Sequence, residues 1–288
     1  MEKGEIVNII IDTINTILGN IISSIDNSMY SSLDSVIFIG PDIIKNSSFE
    51  KLLGANGKYG LIYLADAMLV AISMFYCVKF FYANYVETNI EKPSQFIFKL
   101  IIFTFLVNFS YFLCEQVLNI NLLFSSSVQE IGKNILGIDI SFSELITQLN
   151  RTVSVGESSF DLFSISGIIK SFVSVGLMNL LFSYSLRYII LQVFLLFTPF
   201  ALLSLIVSST SWIFRSWFKC MFSLLIIQCF IPIVLIVIFS IDFSNKILFI
   251  GGIYALTKIN SYVRELFGGV GIDVSNQFGN VLSFFKKS

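Results

Sequence analysis

Residues 220–239 carry no charged side chain, and residues 212–219 ahead of them add only Arg215 and Lys219. The whole stretch is long enough to cross roughly 30 Å of hydrocarbon, which takes about 20 apolar residues. In lipid such a stretch must be helical, because a helix satisfies its own backbone polar groups where no water can. Four further segments read the same way. Leu61–Val86 is interrupted only by Asp66 and Lys79, and residues 96–118 have an uncharged centre from 100 to 114. Residues 168–197 begin with Lys170 and hold Arg187 well inside, while residues 247–263 are weakened by Lys258 and by Gly251-Gly252. The expected fold is therefore all-α. It is a polytopic helical membrane protein with about five transmembrane helices.

Composition agrees. Hydrophobic residues make up 55% of the 288 and charged ones 13%, against roughly 25% charged in soluble domains. Mean hydropathy is +0.83. A single soluble core could not hide this much apolar surface, and disordered chains are poor in the aromatic and branched residues that abound here. The chain has no His, which removes imidazole-based triads, HExxH metalloprotease sites and haem or zinc sites built on His. We expect no enzyme activity and no cofactor. The 18 basic and 19 acidic residues leave a net charge of −1, with no basic footprint for nucleic acid. Cys77, Cys114, Cys220 and Cys229 all fall in apolar stretches without CxxC spacing, so they read as buried small hydrophobes.

Five regions follow from this pattern. Residues 1–60 lack the basic start and cleavage pattern of a signal peptide. In them Val7, Ile11, Ile14, Leu18, Ile21 and Ile25 form a helical stripe, predicting an amphipathic helix that lies at the interface or packs on a partner. Ser47-Ser48-Phe49-Glu50 reads as a capping box with Gly54 as the stop. Residues 61–118 hold the first two spans. Residues 119–167 are acidic, with Glu130, Asp139, Glu144, Glu157 and Asp161 against Lys133 and Arg151. A second capping box, Ser141-Phe142-Ser143-Glu144, opens an amphipathic run through Leu145, Ile146 and Leu149 there, predicting a small extracytoplasmic helical cap. Residues 168–263 form a three-span core and residues 264–288 a tail. Pro199 should end the third span and turn residues 199–211 into a re-entrant or interfacial segment, and Pro232 should kink the fourth.

Lys and Arg in short loops set orientation. The loop after the first span, counted with its flanks, holds Lys79, Lys92 and Lys99, Arg215 and Lys219 open the fourth span, and Arg264, Lys286 and Lys287 lie after the last. With five spans these groups share one side, which places the C-terminus in the cytoplasm and the N-terminus outside. Trp212 and Trp217 then fall at the cytoplasmic interface, where aromatic belts form.

Arg187 stands twelve residues before Pro199, about 18 Å along a helix. A charge that deep costs roughly 2.5–3.5 kcal/mol on insertion scales, so it needs polar company. Asp66, Asn108, Glu115, Gln192 and Gln228 are the candidate partners in sequence, and Arg187, Gln192, Pro199, Gln228, Asn108 and Asp66 form the set of intramembrane polar and assembly candidates. Two roles are open to Arg187: fixing helix packing through carbonyls and amides, or serving a wet pathway or a subunit interface.

The run Arg187-Tyr188-Ile189-Ile190-Leu191, continued by Leu195-Leu196-Phe197-Thr198-Pro199-Phe200-Ala201-Leu202, resembles the TrbL-type polytopic subunit of conjugative type IV secretion systems. So do Trp217 followed by an apolar span containing Gln228, and the closing Phe267-Gly268-Gly269-Val270-Gly271. The likeness covers residues 166–274, and the N-terminal part matches in layout. The resemblance implies a subunit of the cell's cytoplasmic membrane that forms a homo-oligomer and supports transfer of a relaxase with attached single-stranded DNA. It implies an outer stalk or pilus-like protein and a cytoplasmic ATPase as partners, with at most transient contact with the DNA. The residues alone also allow a small-molecule or ion transporter with a broken helix near Pro199, although no inverted repeat is visible.

Overall fold

The computed structural model describes residues 33–54, 59–86, 91–154, 165–241 and 246–267, together with Thr13 and Thr16. Every element among them is helical. The stripe predicted over residues 7–25 lies outside the described residues apart from Thr13 and Thr16, both helical. In chain order the helices are α1 (Leu33–Ile37), α2 (Ser47–Leu53), α3 (Leu61–Val86), α4 (Pro93–Asn108), α5 (Ser110–Leu136), α6 (Phe142–Ser154), α7 (Ile165–Leu196), α8 (Thr198–Leu203), α9 (Ser211–Ser240) and α10 (Lys246–Phe267), with 3₁₀ turns at Pro41–Ile43 and Ser208–Thr210.

The charge-free stretch forms the centre. α9 runs unbroken from Ser211 to Ser240 through Pro232 and packs against both α5 and α10. Two apolar cores lie along it. One joins its C-terminal half to α1, α6, the middle of α7 and α10. The other joins its N-terminal half to residues 39–53, α3, α4, the start of α5, the end of α7 and α8. The outside is apolar as well. Phe75, Val78 and Phe81 on α3, and Phe98, Ile101 and Phe105 on α4, are exposed, as lipid-facing residues must be.

Among the described residues three helical stretches are long and apolar enough to cross a membrane: Leu61–Val86, Val175–Leu196 and Ser208–Ser240. These are helices of a multi-pass membrane protein. A fourth crossing exists if α4 and α5 count as one span bent by 62°. The second span is expected over residues 96–118, with no bend foreseen within it. The break at Phe109 uses no Pro or Gly. Its local device is Asn108, whose Nδ2 donates back to the Thr104 carbonyl at 3.0 Å and across to Asp66 Oδ1 at 3.2 Å, a side chain competing with the helix ladder. Past the break α5 continues to Leu136, so the boundary drawn after Leu118 cuts through a helix. The expected cap reduces, among the described residues, to the end of α5 and to α6.

The fifth predicted span is a helix, α10, but it is not among the stretches apolar enough to cross. Its interruptions have a packing role. A Cβ on Gly252 would lie 2.6 Å from Ile238 Cγ1 of α9, so the missing side chain lets the two helices approach, as small residues do in membrane interfaces. Tyr184 Oη donates to the Leu256 carbonyl at 3.2 Å and Asn260 Nδ2 to Ser183 Oγ at 2.7 Å, tying α10 to α7.

The caps show how local chemistry was resolved. Asn46, not Ser47, caps α2, its Oδ1 accepting from Ser48 N–H at 3.0 Å, while Gly54 ends that helix at φ +89°. Asn46 wins because its extended backbone puts its amide oxygen below the first free N–H groups. At α6 the expected cap forms, with Glu144 N–H donating to Ser141 Oγ at 3.1 Å. Asp34 of α1 adds to it, accepting from Phe142 N–H at 2.8 Å and from Ser143 Oγ at 2.6 Å. Cys114, Cys220 and Cys229 are buried as expected, but Cys77 is exposed on α3, where an apolar stretch meets surroundings outside the bundle.

Candidate functional site at the buried arginine

Between the two apolar cores lies a cluster of polar groups centred on Arg187, which is 2% exposed. Its Nε donates to the Leu224 carbonyl of α9 at 2.9 Å, Nη1 to the Ile37 carbonyl at the end of α1 at 3.3 Å, and Nη2 to Gln228 Oε1 at 3.5 Å. The ring of Tyr184, one turn earlier on α7, has its centroid 6.0 Å from the guanidinium carbon, inside the range of a cation–π contact. Among the described residues no carboxylate pairs with Arg187. Carbonyl oxygens, an amide oxygen and a ring face balance its charge.

Gln228 is fully buried and completes the arrangement. Its Oε1 accepts from Ile39 N–H and its Nε2 donates to the Ile39 carbonyl, both at 3.1 Å, so the side-chain amide pairs with a peptide as a neighbouring strand would. Nε2 also reaches Ser125 Oγ of α5 at 3.3 Å. On the next residue Cys229 Sγ donates to Asn121 Oδ1 at 3.3 Å, and Asn121 Nδ2 has no partner among the described residues. Residues 37–39 leave α1 with backbone groups no helix can serve, and they lie inside the bundle. Arg187 and Gln228 supply what water would supply outside.

Of the partners expected for Arg187, only Gln228 meets it. Asp66 bonds to Asn108 at the α4–α5 break, and Glu115 pairs with Lys45 at 3.3 Å. Gln192 is half-buried further along α7. Pro199 sits in the first turn of α8, where its missing N–H costs nothing. α8 turns inward: Pro199, Ala201, Leu202 and Leu203 are buried, and the helix packs on α4 and α3. Trp217 does more than mark an interface, because its Nε1 donates at 2.9 Å to the Phe194 carbonyl near the end of α7, which also accepts from Thr198 Oγ1 at 3.3 Å.

No protein-family model matches this sequence, and neither curated proteins nor solved structures yield a match to it. The chemistry must therefore be read from the cluster itself. Arg cannot serve as a proton carrier, since its guanidinium stays protonated. Among the described residues no three Cys, Asp or Glu converge so as to hold a metal ion. What the cluster can do is fix position. Sequence reasoning found Arg187 and Gln228 but missed Ile37, Ile39, Ser125 and Asn121. The first two act through main-chain atoms, which leave no residue-type signal, and the other two sit in the acidic interval that reads as an extracytoplasmic cap rather than as part of a span.

Proposed function

We propose that this protein is a channel or scaffold subunit of a conjugative type IV secretion system in the cytoplasmic membrane, its N-terminus outside and its C-terminus inside. It assembles as a homo-oligomer and supports transfer of a relaxase–single-stranded DNA complex. It works beside an outer stalk or pilus-like protein and a cytoplasmic ATPase. α10 completes five crossings, which brings the basic ends of α3, α9 and α10 to one side.

The observation that supports a scaffold over a carrier is the placement of Arg187. Its donors go to main-chain carbonyls and to Gln228, and they hold residues 37–39 inside the bundle. A carrier needs its deep charge free to meet substrate, whereas a scaffold needs it fixed. The resemblance of residues 166–274 to TrbL-type subunits supplies the secretion context.

The test is deletion of the gene, read by DNA transfer between cells. Transfer should fall to background and return on complementation. Unchanged transfer overturns the secretion role, and coupled solute uptake by the purified protein in liposomes establishes a transporter instead. Reporter fusions at Ser288 test orientation, with a signal from the cytoplasm expected.

A further inference from the structure

Where α7 ends, α8 turns inward and α9 begins, the surface opens into a groove of about 620 Å³, a volume typical of small-molecule sites. Its walls are Phe194, Phe197, Phe200, Trp212, Trp217 and Cys220, with little polar surface beyond the Ser216 hydroxyl. Such a lining suits a hydrocarbon chain. The edge of the groove is different. Arg215 and Lys219 follow Trp212 by three and seven residues on α9, which sets them on the same side of the helix. Both are exposed, and among the described residues no carboxylate pairs with either. Two exposed cations on the flank of α9 beside Trp212, one wall of an apolar trough, match a molecule with a long apolar tail and a negative head. The geometry points to a bound anionic phospholipid, with one acyl chain along the groove and its phosphate against Arg215 and Lys219.

This inference does not depend on the secretion role, and it has a built-in reporter. Trp212 and Trp217 are the two tryptophans of the chain, and both line the groove. Trp212 is 64% exposed and samples surrounding lipid, while Trp217 is half-buried and held by Phe194. In a Trp212→Phe background, fluorescence from Trp217 therefore reads occupancy of the groove.

The full chain is reconstituted in phosphatidylcholine vesicles carrying increasing amounts of acyl-brominated phosphatidylglycerol or, in parallel, acyl-brominated phosphatidylcholine. Bromine quenches a tryptophan it touches. Two cations near a phosphate predict that brominated phosphatidylglycerol reaches half-quenching at a mole fraction roughly thirty-fold lower. Arg215→Gln with Lys219→Gln should bring the two lipids together, and so should raising salt on the unmodified chain. A Ser216→Trp variant would add a fluorophore, so Ser216→Phe is used to fill the groove, and it should reduce quenching by both lipids. Equal quenching by the two lipids in the original chain overturns the proposal. A preference that survives both the double substitution and high salt overturns it as well.

Discussion

Gln228 and Ile39 pair through two hydrogen bonds of 3.1 Å, the side-chain amide of one matching the peptide of the other. They are 189 residues apart in sequence, and the pair joins the central helix to a non-helical segment buried beside it. Its energetic weight lies in what its loss would expose, since an unpaired peptide in an apolar interior costs about 1–3 kcal/mol.

Gln228→Leu should therefore lower stability by about 2 kcal/mol, toward the upper end of what single polar groups contribute between membrane helices. Denaturant titration of the purified protein in detergent measures the loss. Limited proteolysis should cut near residues 37–39 in the variant and not in the original chain. Unaltered stability would show that Ile39 finds other partners.

If the proposed secretion role holds, Arg187→Leu should insert into the membrane but fail in assembly and DNA transfer, because the Ile37 carbonyl loses its side-chain donor and the Leu224 carbonyl keeps only its helical one. Arg187→Lys should not restore function, since one ammonium cannot point donors at three separated acceptors as the guanidinium does. A double-mutant cycle with Gln228→Leu should show a coupling of about 0.5–3 kcal/mol, as expected for residues in one network. Full transfer by Arg187→Leu would remove the assembly role.

Gly252→Val should cost about 1–3 kcal/mol by pushing α10 off α9, because the new side chain overlaps Ile238. Trimming the partner with Ile238→Ala should recover part of that loss in the double variant. Thermal unfolding in detergent decides it, and strictly additive effects would place the two residues apart.

Asp34→Ala should destabilise the start of α6 by about 1–2 kcal/mol, the usual weight of an N-terminal cap. Hydrogen exchange should quicken at Phe142 and Ser143, whose N–H groups donate to Asp34. Amides in the middle of α9 should keep their protection. Faster exchange throughout would mean that Asp34 supports the whole bundle.

The sequence showed which segments are apolar helices, and α3, α7 and α9 follow the hydropathy pattern closely. It marked Gly54 as a helix stop and Ser141 as a cap, because those signals act within a few residues. It missed the bend at Phe109, since Asn108 acts there through Asp66, 42 residues away. It placed α10 among the spans by length but did not reveal that Gly252 is a contact point, as a missing side chain becomes informative only when Ile238 stands opposite.

The candidate site divides in the same way. Depth in an apolar run was enough to make Arg187 need polar partners, because hydrocarbon offers none. Which partners it took was a matter of the tertiary structure. Asp66 and Glu115 looked better by charge, yet they lie at other junctions with Asn108 and Lys45. Residue types and periodicity encode what a segment must bury, so the sequence alone settled the solvent and the helices. Main-chain atoms acquire distinct roles only once helices pack, so only the folded bundle decided that residues 37–39 would be held by Arg187 and Gln228.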